Sequence, residues 1–323
     1  MKKRWNWDFL MSRYPAFFPL LLLAVVIVLN LVLQPNMFDL ETLNGNMRVF
    51  LPLILVSVGQ AIVLLGGGID ISVGGIVSIV NTILATRVGL EGSPELMWRY
   101  VIISIVVGLL AGAINGFFIA FLRLQPIITT YATSFLYFGL ALFILPNPGG
   151  GIPADIASLY RTSAPLGIPL AFYVIALLLL IWIFVSSTRY GKYLFAVGGK
   201  PEAAYETAVP VTWMQFSTYV VAGFMSALAG IALTMLSGSG NAEIGESMTL
   251  NSITAAVIGG NAFSGGLGGV AGPIMGALTL SFIQNIISFA DIDTWWETLV
   301  KASIIVAALA APGTIDLFRR RRS

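Results

Sequence analysis

GGGIDISVGG, residues 66–75, places five glycines, one carboxylate (Asp70) and one hydroxyl (Ser72) in a chain that is otherwise almost continuously apolar. Of its 323 residues, 57% are hydrophobic and only 10% charged, whereas soluble domains carry roughly 25% charged residues. Such a chain lacks the polar surface to face water all round, so it reads as membrane-embedded. At the centre of a lone span an Asp costs ~2.5–3.5 kcal/mol. Asp70 is therefore expected at a helix end, in a polar loop. Glycine lets the backbone reverse with positive φ and lets helices approach closely. Ser72 stands where the next helix starts and is expected to cap its free N–H groups, with Asp70 favoured by the helix dipole. The stretch thus predicts a hairpin between two packed helices, closed by Gly67, Gly68 and Gly74 and capped by Asp70 and Ser72. A direct part in a transport path or in gating is the alternative.

A second stretch, GGNAFSGGLGG at 259–269, repeats the pattern. Gly67, Gly68, Ser72 and Gly74 align with Gly259, Gly260, Ser264 and Gly266 at a constant spacing of 192. Both stretches end one apolar segment and begin another. An internally duplicated bundle, as in many transporters, is one reading; chance resemblance in a glycine-rich chain is the other.

A bilayer core of ~30 Å takes about 20 apolar residues of helix. Ten candidate spans follow, near 15–33, 49–66, 72–88, 100–122, 127–145, 169–186, 214–236, 250–260, 268–289 and 297–313. The eighth is short enough for a half-helix or a re-entrant segment. With the N-terminus inside, the inner segments collect Lys2, Lys3, Arg4, Arg13, Arg123, Arg189, Lys192, Lys200 and Arg319 to Arg322, which is 12 of the 17 basic residues. This satisfies the positive-inside rule. The expectation is an all-α polytopic bundle of about ten transmembrane helices with both termini cytoplasmic. It forms a single domain over 1–323, with 14–313 embedded, a cytoplasmic loop at 187–213 and a basic tail at 314–323.

Several chemistries are excluded. The chain has no histidine and no cysteine, which removes disulfides, thiolate nucleophiles, common zinc sites and Ser-His-Asp hydrolysis. Neither Gly191-Lys192 nor Gly199-Lys200 has the upstream glycine of a phosphate-binding loop. A net charge of +2 gives nucleic acid no footing. No catalytic, cofactor-binding or metal-ligating residues are expected, and the lipid bilayer is the first partner.

The longest inner loop, STRYGKYLFAVGGKPEAAYETAVPVTW at 187–213, contains a predicted short helix over Pro201–Thr207. Pro201 suits its first turn and Glu202 its positive end. An isolated short helix frays, so this one is expected to dock on a cytoplasmic partner. Glycines recur every fourth residue at Gly108, Gly112 and Gly116, and at Gly268, Gly272 and Gly276, which allows close helix contact inside the bundle or at a subunit seam. Gln60, Asn115, Thr129, Thr130, Asn251 and Asn285 put uncharged polar groups in or near spans. They are expected to face the interior, as helix-to-helix hydrogen bonds or as the lining of a path for a hydroxyl-rich solute.

Taken in order, GGIDISVG (67–74), GAINGFFIAFLRLQPIITTYAT (112–133), YGKYLFAVGGKPEAA (190–204) and AAVIGGNAFSGGLGGVAGPIMGAL (255–278) resemble the permeases of ribose-type ABC importers. The likeness covers roughly 45–312, and the late segment ISFADIDTWWETLVKASII (287–305) resembles those of galactofuranose type. The resemblance implies a sugar permease of the bacterial inner membrane. It would work as a homodimer or heterodimer, with a cytoplasmic ABC ATPase that holds the ATP and Mg and an external sugar-binding protein. It also implies that Tyr190, Gly191, Gly198, Gly199, Pro201, Glu202, Ala203, Ala204 and Ala208 belong to the segment that couples to the ATPase. Lys200 and Ala208 depart from the family pattern, which has Asn and Gly there. A nucleoside or other small-metabolite ABC permease is the neighbouring alternative. An ion-coupled secondary transporter is the alternative from another class, and it predicts ionisable residues at mid-span.

Overall fold

The computed structural model describes residues 17–291 and positions 293, 295, 296, 299, 302 and 303. Twelve α-helices occur among them: α1 (Phe17–Leu33), α2 (Leu40–Leu65), α3 (Val73–Arg87), α4 (Pro94–Gly116), α5 (Pro126–Ile144), α6 (Ala154–Thr162), α7 (Leu170–Ser187), α8 (Arg189–Gly199), α9 (Pro201–Glu206), α10 (Val211–Ser237), α11 (Glu246–Ile258) and α12 (Ala271–Phe289). A π-helical turn, Phe117–Phe121, extends α4. The one backbone bridge outside helices among the described residues pairs Gly149 with Gly240.

Six stretches are long and apolar enough to cross a membrane: α2, α4 with its π turn, α5, α7, α10 and α12. α1 and α3 are apolar but shorter, at 17 and 15 residues, and α11 has 13. Nine of the ten predicted spans thus have a helix; of the tenth, 297–313, all but positions 299, 302 and 303 lies outside the described residues. The second begins at Leu40 rather than 49. Its first turns are polar, and the cost of that is met by partners: the Asn44 amide donates to the Arg161 carbonyl at 3.3 Å and the Asn46 amide to Gln34 at 3.2 Å.

Local signals set the helix ends. The Ser93 hydroxyl accepts from the Leu96 N–H at 3.2 Å, with Pro94 at the first helical position of α4. Gly238 ends α10 in the left-handed region at φ 72°.

α2 and α3 form the centre. Every α2 residue from Phe50 to Leu65 is buried, and so are most of α3. α10 packs against both and against α4. That last crossing is made by the predicted glycine row: a methyl on Gly108 would lie 2.5 Å from the Gly223 carbonyl oxygen, and methyls on Gly112 and Gly116 would overlap or crowd the carbonyls of Tyr219 and Phe216. Gly272 and Gly276 likewise pack on Gly259 and Ala255 of α11. These five glycines therefore serve contacts inside one chain, not a subunit seam. Gly268, the sixth, lies in the loop before α12 at φ 128°, where a methyl would overlap Asn261. α7 is the opposite of α2, with only Ala171 and Leu178 buried, as suits a lipid-facing helix.

Candidate functional site

The stretch 66–75 is not a simple surface hairpin. α2 ends with Gly66, Gly67 and Gly68 donating to the carbonyls of Ile62, Leu64 and Val63, and Gly67 takes φ 80°. The chain then turns inward, and Asp70 and Ser72 are fully buried. Neither caps α3 as expected. Ser72 has helical backbone angles and makes no capping bond. Instead its N–H and its hydroxyl both donate to Asp70 Oδ1, at 2.8 and 2.7 Å. The carboxylate thus closes a two-residue turn on itself.

Three helices hold that turn. From α4, the Asn115 amide donates to the Ser72 hydroxyl at 2.6 Å, and Thr133 of α5 donates to Asn115 Oδ1 at 2.6 Å. The Thr130 hydroxyl accepts from the Ile71 N–H at 3.1 Å and donates to its own helix at Pro126. The Gln60 carboxamide of α2, oriented so that both ends are satisfied, pairs with the Asp70 backbone: its nitrogen donates to the carbonyl at 3.0 Å and its oxygen accepts from the N–H at 3.3 Å. Thr129 donates to Gln125 of its own helix. Three of the six polar residues singled out in the sequence, Gln60, Asn115 and Thr130, are therefore engaged here in helix-to-loop or helix-to-helix bonds. Two buried oxygens near this turn have no partner among the described residues, Asp70 Oδ2 and the Tyr219 hydroxyl. The latter lies where a methyl on Gly68 would overlap it.

The second glycine stretch repeats one part of the first. Gly259, Gly260 and Asn261 donate to Ala255, Val257 and Ala256, and Gly260 takes φ 89°. This is the α2 ending, residue for residue, but it pairs Gly66 with Gly259 and Gly67 with Gly260. The structural register is therefore one residue off the spacing of 192. Beyond it the two loops differ. Gly74 is inside α3, whereas Gly266 is in a turn at φ 70°. Ser264 is exposed and lies well before Val270, the N-cap of α12, so it does not cap that helix. Asn261 does the loop's internal work, with its Oδ1 accepting from the Gly269 N–H at 2.9 Å.

The two glycine loops and the end of α8 meet at one point. The Gly266 N–H donates to the Leu65 carbonyl at 3.2 Å. A methyl on Gly198 would overlap that carbonyl and lie 2.6 Å from Gly266 N, and one on Gly265 would lie 2.7 Å from the Gly67 Cα. Tyr190, also on α8, shares a 2.8 Å hydrogen bond with Ser217 of α10; burial pushes its phenol up, against the pull of that bond. Gly191 lies where a methyl would crowd Val185 and Ser186. α9 follows with Pro201 at its first position and Glu202 in its first turn. Ala204 faces the core, whereas Glu202, Ala203, Tyr205 and Ala208 are exposed. Ala208 holds the left-handed conformation at φ 60°, so the turn keeps a glycine-type geometry without the glycine. Gly199 has open space around it.

A feature with little sequence signal joins the two short helices. Residues 238–245 are non-helical and run back along α3 toward its start. Asn81 of α3 accepts from the Asn241 N–H at 2.7 Å and donates to the Ser239 carbonyl at 3.1 Å. Ser78 accepts from the Gly245 N–H at 3.0 Å. At Gly74 and Gly245 the first turns of α3 and α11 touch, and Thr249 donates to the Ile71 carbonyl at 3.3 Å. Irregular backbone at membrane depth survives only where protein or a watery cavity covers it, and here α3 supplies the cover.

Asn251 and Asn285 lie elsewhere. They line a cavity of about 570 Å³ between α2, α10, α11 and α12. Asn285 donates to Asn46 at 3.1 Å, and Asn46 to Gln34, which makes an amide chain across α12, α2 and the α1–α2 connection. Near the end of the bundle that carries α6, the Tyr160 hydroxyl donates to the Arg48 carbonyl at 2.7 Å, and burial pushes this phenol up against the opposing effect of the Arg48 charge.

Half-length helices that meet inside a bundle, covered re-entrant backbone and a polar cavity among apolar spans mark a multi-pass membrane transport protein. The chain belongs to the family described as branched-chain amino acid transport system / permease component, whose model matches residues 43–309. It is similar to the ribose import permease protein RbsC of Haemophilus influenzae, 29% identical with 90% of each chain covered. The same protein of Bacillus subtilis is 29% identical over 95% of each. The D-allose transport system permease protein AlsC of Escherichia coli is 27% identical over 96% of this chain and 94% of its own. No solved structure matches the chain.

Proposed function

We infer that the chain is the membrane-spanning subunit of an ATP-binding-cassette importer for a monosaccharide. Full-length similarity to permeases named for ribose and allose is the observation that carries this reading. The family description names amino acids instead. An amino acid is a zwitterion, and burying its charges requires a paired cation and anion. Among the described residues, the cavity holding Asn251 and Asn285 has no basic side chain on its wall, which favours a neutral solute. Galactofuranose is a narrower candidate, resting on 287–305, of which eight positions lie outside the described residues.

The chain has no phosphate-binding loop, so ATP and Mg belong on a separate ATPase subunit, and an external receptor delivers the sugar. α8 and α9 form the face that the ATPase grips. In the full assembly the chain has about ten spans with both termini in the cytoplasm of a bacterial inner membrane, and it pairs with a second permease, identical or homologous. An ion-coupled transporter is the weaker reading, because the apolar helices carry few ionisable groups. Asp70, with one unpartnered oxygen, is the observation in its favour.

Glu202→Lys and Tyr205→Glu test the coupling face, since both residues are exposed and Tyr205 is 75% so. Sugar-stimulated ATPase of the reconstituted complex should be lost in both while the protein still inserts and purifies. Normal stimulation in both removes α9 from the coupling role. Ala204→Arg is not a usable probe, because Ala204 is buried and the change would disrupt the fold itself.

A further inference from the structure

The cavity between α2, α10, α11 and α12 has two unlike walls. Phe50, Leu53, Leu233 and Leu236 make one side apolar. The other presents Ser281, Asn251, Gln284 and Asn285. Elsewhere in the bundle buried hydroxyls turn back onto a carbonyl of the preceding turn, as in Thr82, Ser134, Ser226 and, on α12 itself, Thr279. Ser281 is only 5% exposed, yet its hydroxyl makes no hydrogen bond among the described residues. Nor do the side-chain amides of Asn251 and Gln284. Asn285 donates to Asn46 and leaves its own oxygen unpaired there. Asn251 and Asn285 are half-buried and Gln284 is exposed, so their free donors and acceptors are open to a ligand, and several on one wall suit a ligand with several hydroxyls.

Charge narrows the ligand further. Among the described residues, Asp291 is the one ionisable side chain on the wall. A carboxylate or phosphate would meet no counter-charge, and an amino acid would have an ammonium partner at best. A neutral polyol needs neither. Its hydroxyls both donate and accept, as Ser, Asn and Gln require, and its C–H faces suit the Phe50 and Leu side. A volume of about 570 Å³ falls in the range of small-molecule sites.

We propose that this cavity is a binding site for one neutral monosaccharide within the permease itself, with Ser281 and Asn251 as its central contacts and Phe50 as its apolar floor. The proposal rests on the importer reading and deepens it: the permease, not only the external receptor, selects against charged solutes.

The test uses the permease with its ATPase in lipid nanodiscs, without receptor, and saturation-transfer NMR with D-ribose, D-allose and D-galactose, and with L-leucine as zwitterionic control. At least one sugar should show transfer and L-leucine none. Asn251→Leu and Ser281→Leu should lower the sugar signal at least tenfold, while Ser281→Thr, which keeps the hydroxyl, retains it; Gly139→Ala, at a position with open space around it, is the unchanged control. No transfer from any sugar, transfer from L-leucine equal to that from sugar, or equal signals in the wild type and both Leu variants overturns the site. Receptor-stimulated ATPase on the same samples separates the two readings. Stimulation by a sugar-loaded receptor without sugar on the permease removes the site alone. Absence of stimulation by every sugar removes the importer reading as well.

Discussion

Gly74 and Gly245 face each other backbone to backbone, so that a methyl on either would overlap the carbonyl oxygen of the other. This contact joins the first turns of α3 and α11, helices separated in sequence by most of the bundle. Gly245→Ala and Gly74→Ala are each expected to force the two helices apart and to destabilise by at least the ~1–3 kcal/mol typical of overpacking. Thermal unfolding in detergent checks this, with Gly199→Ala, in open space, expected to stay within ~0.5 kcal/mol of wild type.

Asp70 separates a clamp from a gate. Asp70→Ala removes the acceptor of the Ser72 N–H and hydroxyl, and leaving such groups unpaired costs ~1–3 kcal/mol. Asp70→Asn keeps an oxygen where Oδ1 now accepts both bonds. If the residue acts as a clamp, the Asn variant should melt near wild type and transport at a rate within a few-fold of it. Normal melting with abolished uptake would assign the carboxylate charge to the transport cycle.

Gly108→Leu tests which contacts the α4 row makes. Gly108 packs on Gly223 and Ala227 of the same chain, so the variant should lose folded protein altogether. A well-folded variant that merely fails to dimerise would contradict this packing. Size-exclusion chromatography alongside unfolding distinguishes the two outcomes.

Ala208 adopts φ 60°, a conformation that costs an L-residue roughly 1–2 kcal/mol and glycine almost nothing. Ala208→Gly should therefore stabilise the α9–α10 turn by up to about 1 kcal/mol, offset in part by the greater freedom of the unfolded glycine. Hydrogen exchange of the Ala208 and Val209 amides, which donate to Tyr205 and Ala204, should slow.

Apolar run length made α4, α5, α7 and α10 legible, and the Pro–Glu start made α9 so. The exposed and buried faces of α9 were not, because a six-residue helix has too few turns for a pattern. Polar residues within spans announced an interior position but not what stood opposite. Asn115 and Gln60 meet a loop, and Asn251 and Asn285 meet a cavity, and only tertiary pairing decides which. The repeat was visible at its glycines, but its register rests on φ 80° at Gly67 and φ 89° at Gly260, which a string of adjacent glycines does not disclose. Segment 238–245 carries no sequence sign of its cover, because its partners, Asn81 and Ser78, lie far back in the chain.

α3 has a consequence for how the protein is made. It is 15 residues long, short for a bilayer core that takes about 20, and its Asn81 bonds only to groups after residue 233: the Thr234 hydroxyl, the Ser239 carbonyl and the Asn241 N–H. During synthesis α3 can pack on α4 and α5, but the Asn81 side chain must wait, unpartnered, until α10 and the segment after it emerge. The chain contains no cysteine, so a single Asn81→Cys substitution can report the wait. In ribosome-arrested chains ending near residue 200 it should react with a water-soluble maleimide, and in chains released beyond 260 it should be protected. Protection already present in the shorter chains would mean that α4, α5, lipid or an insertion factor shields Asn81 first.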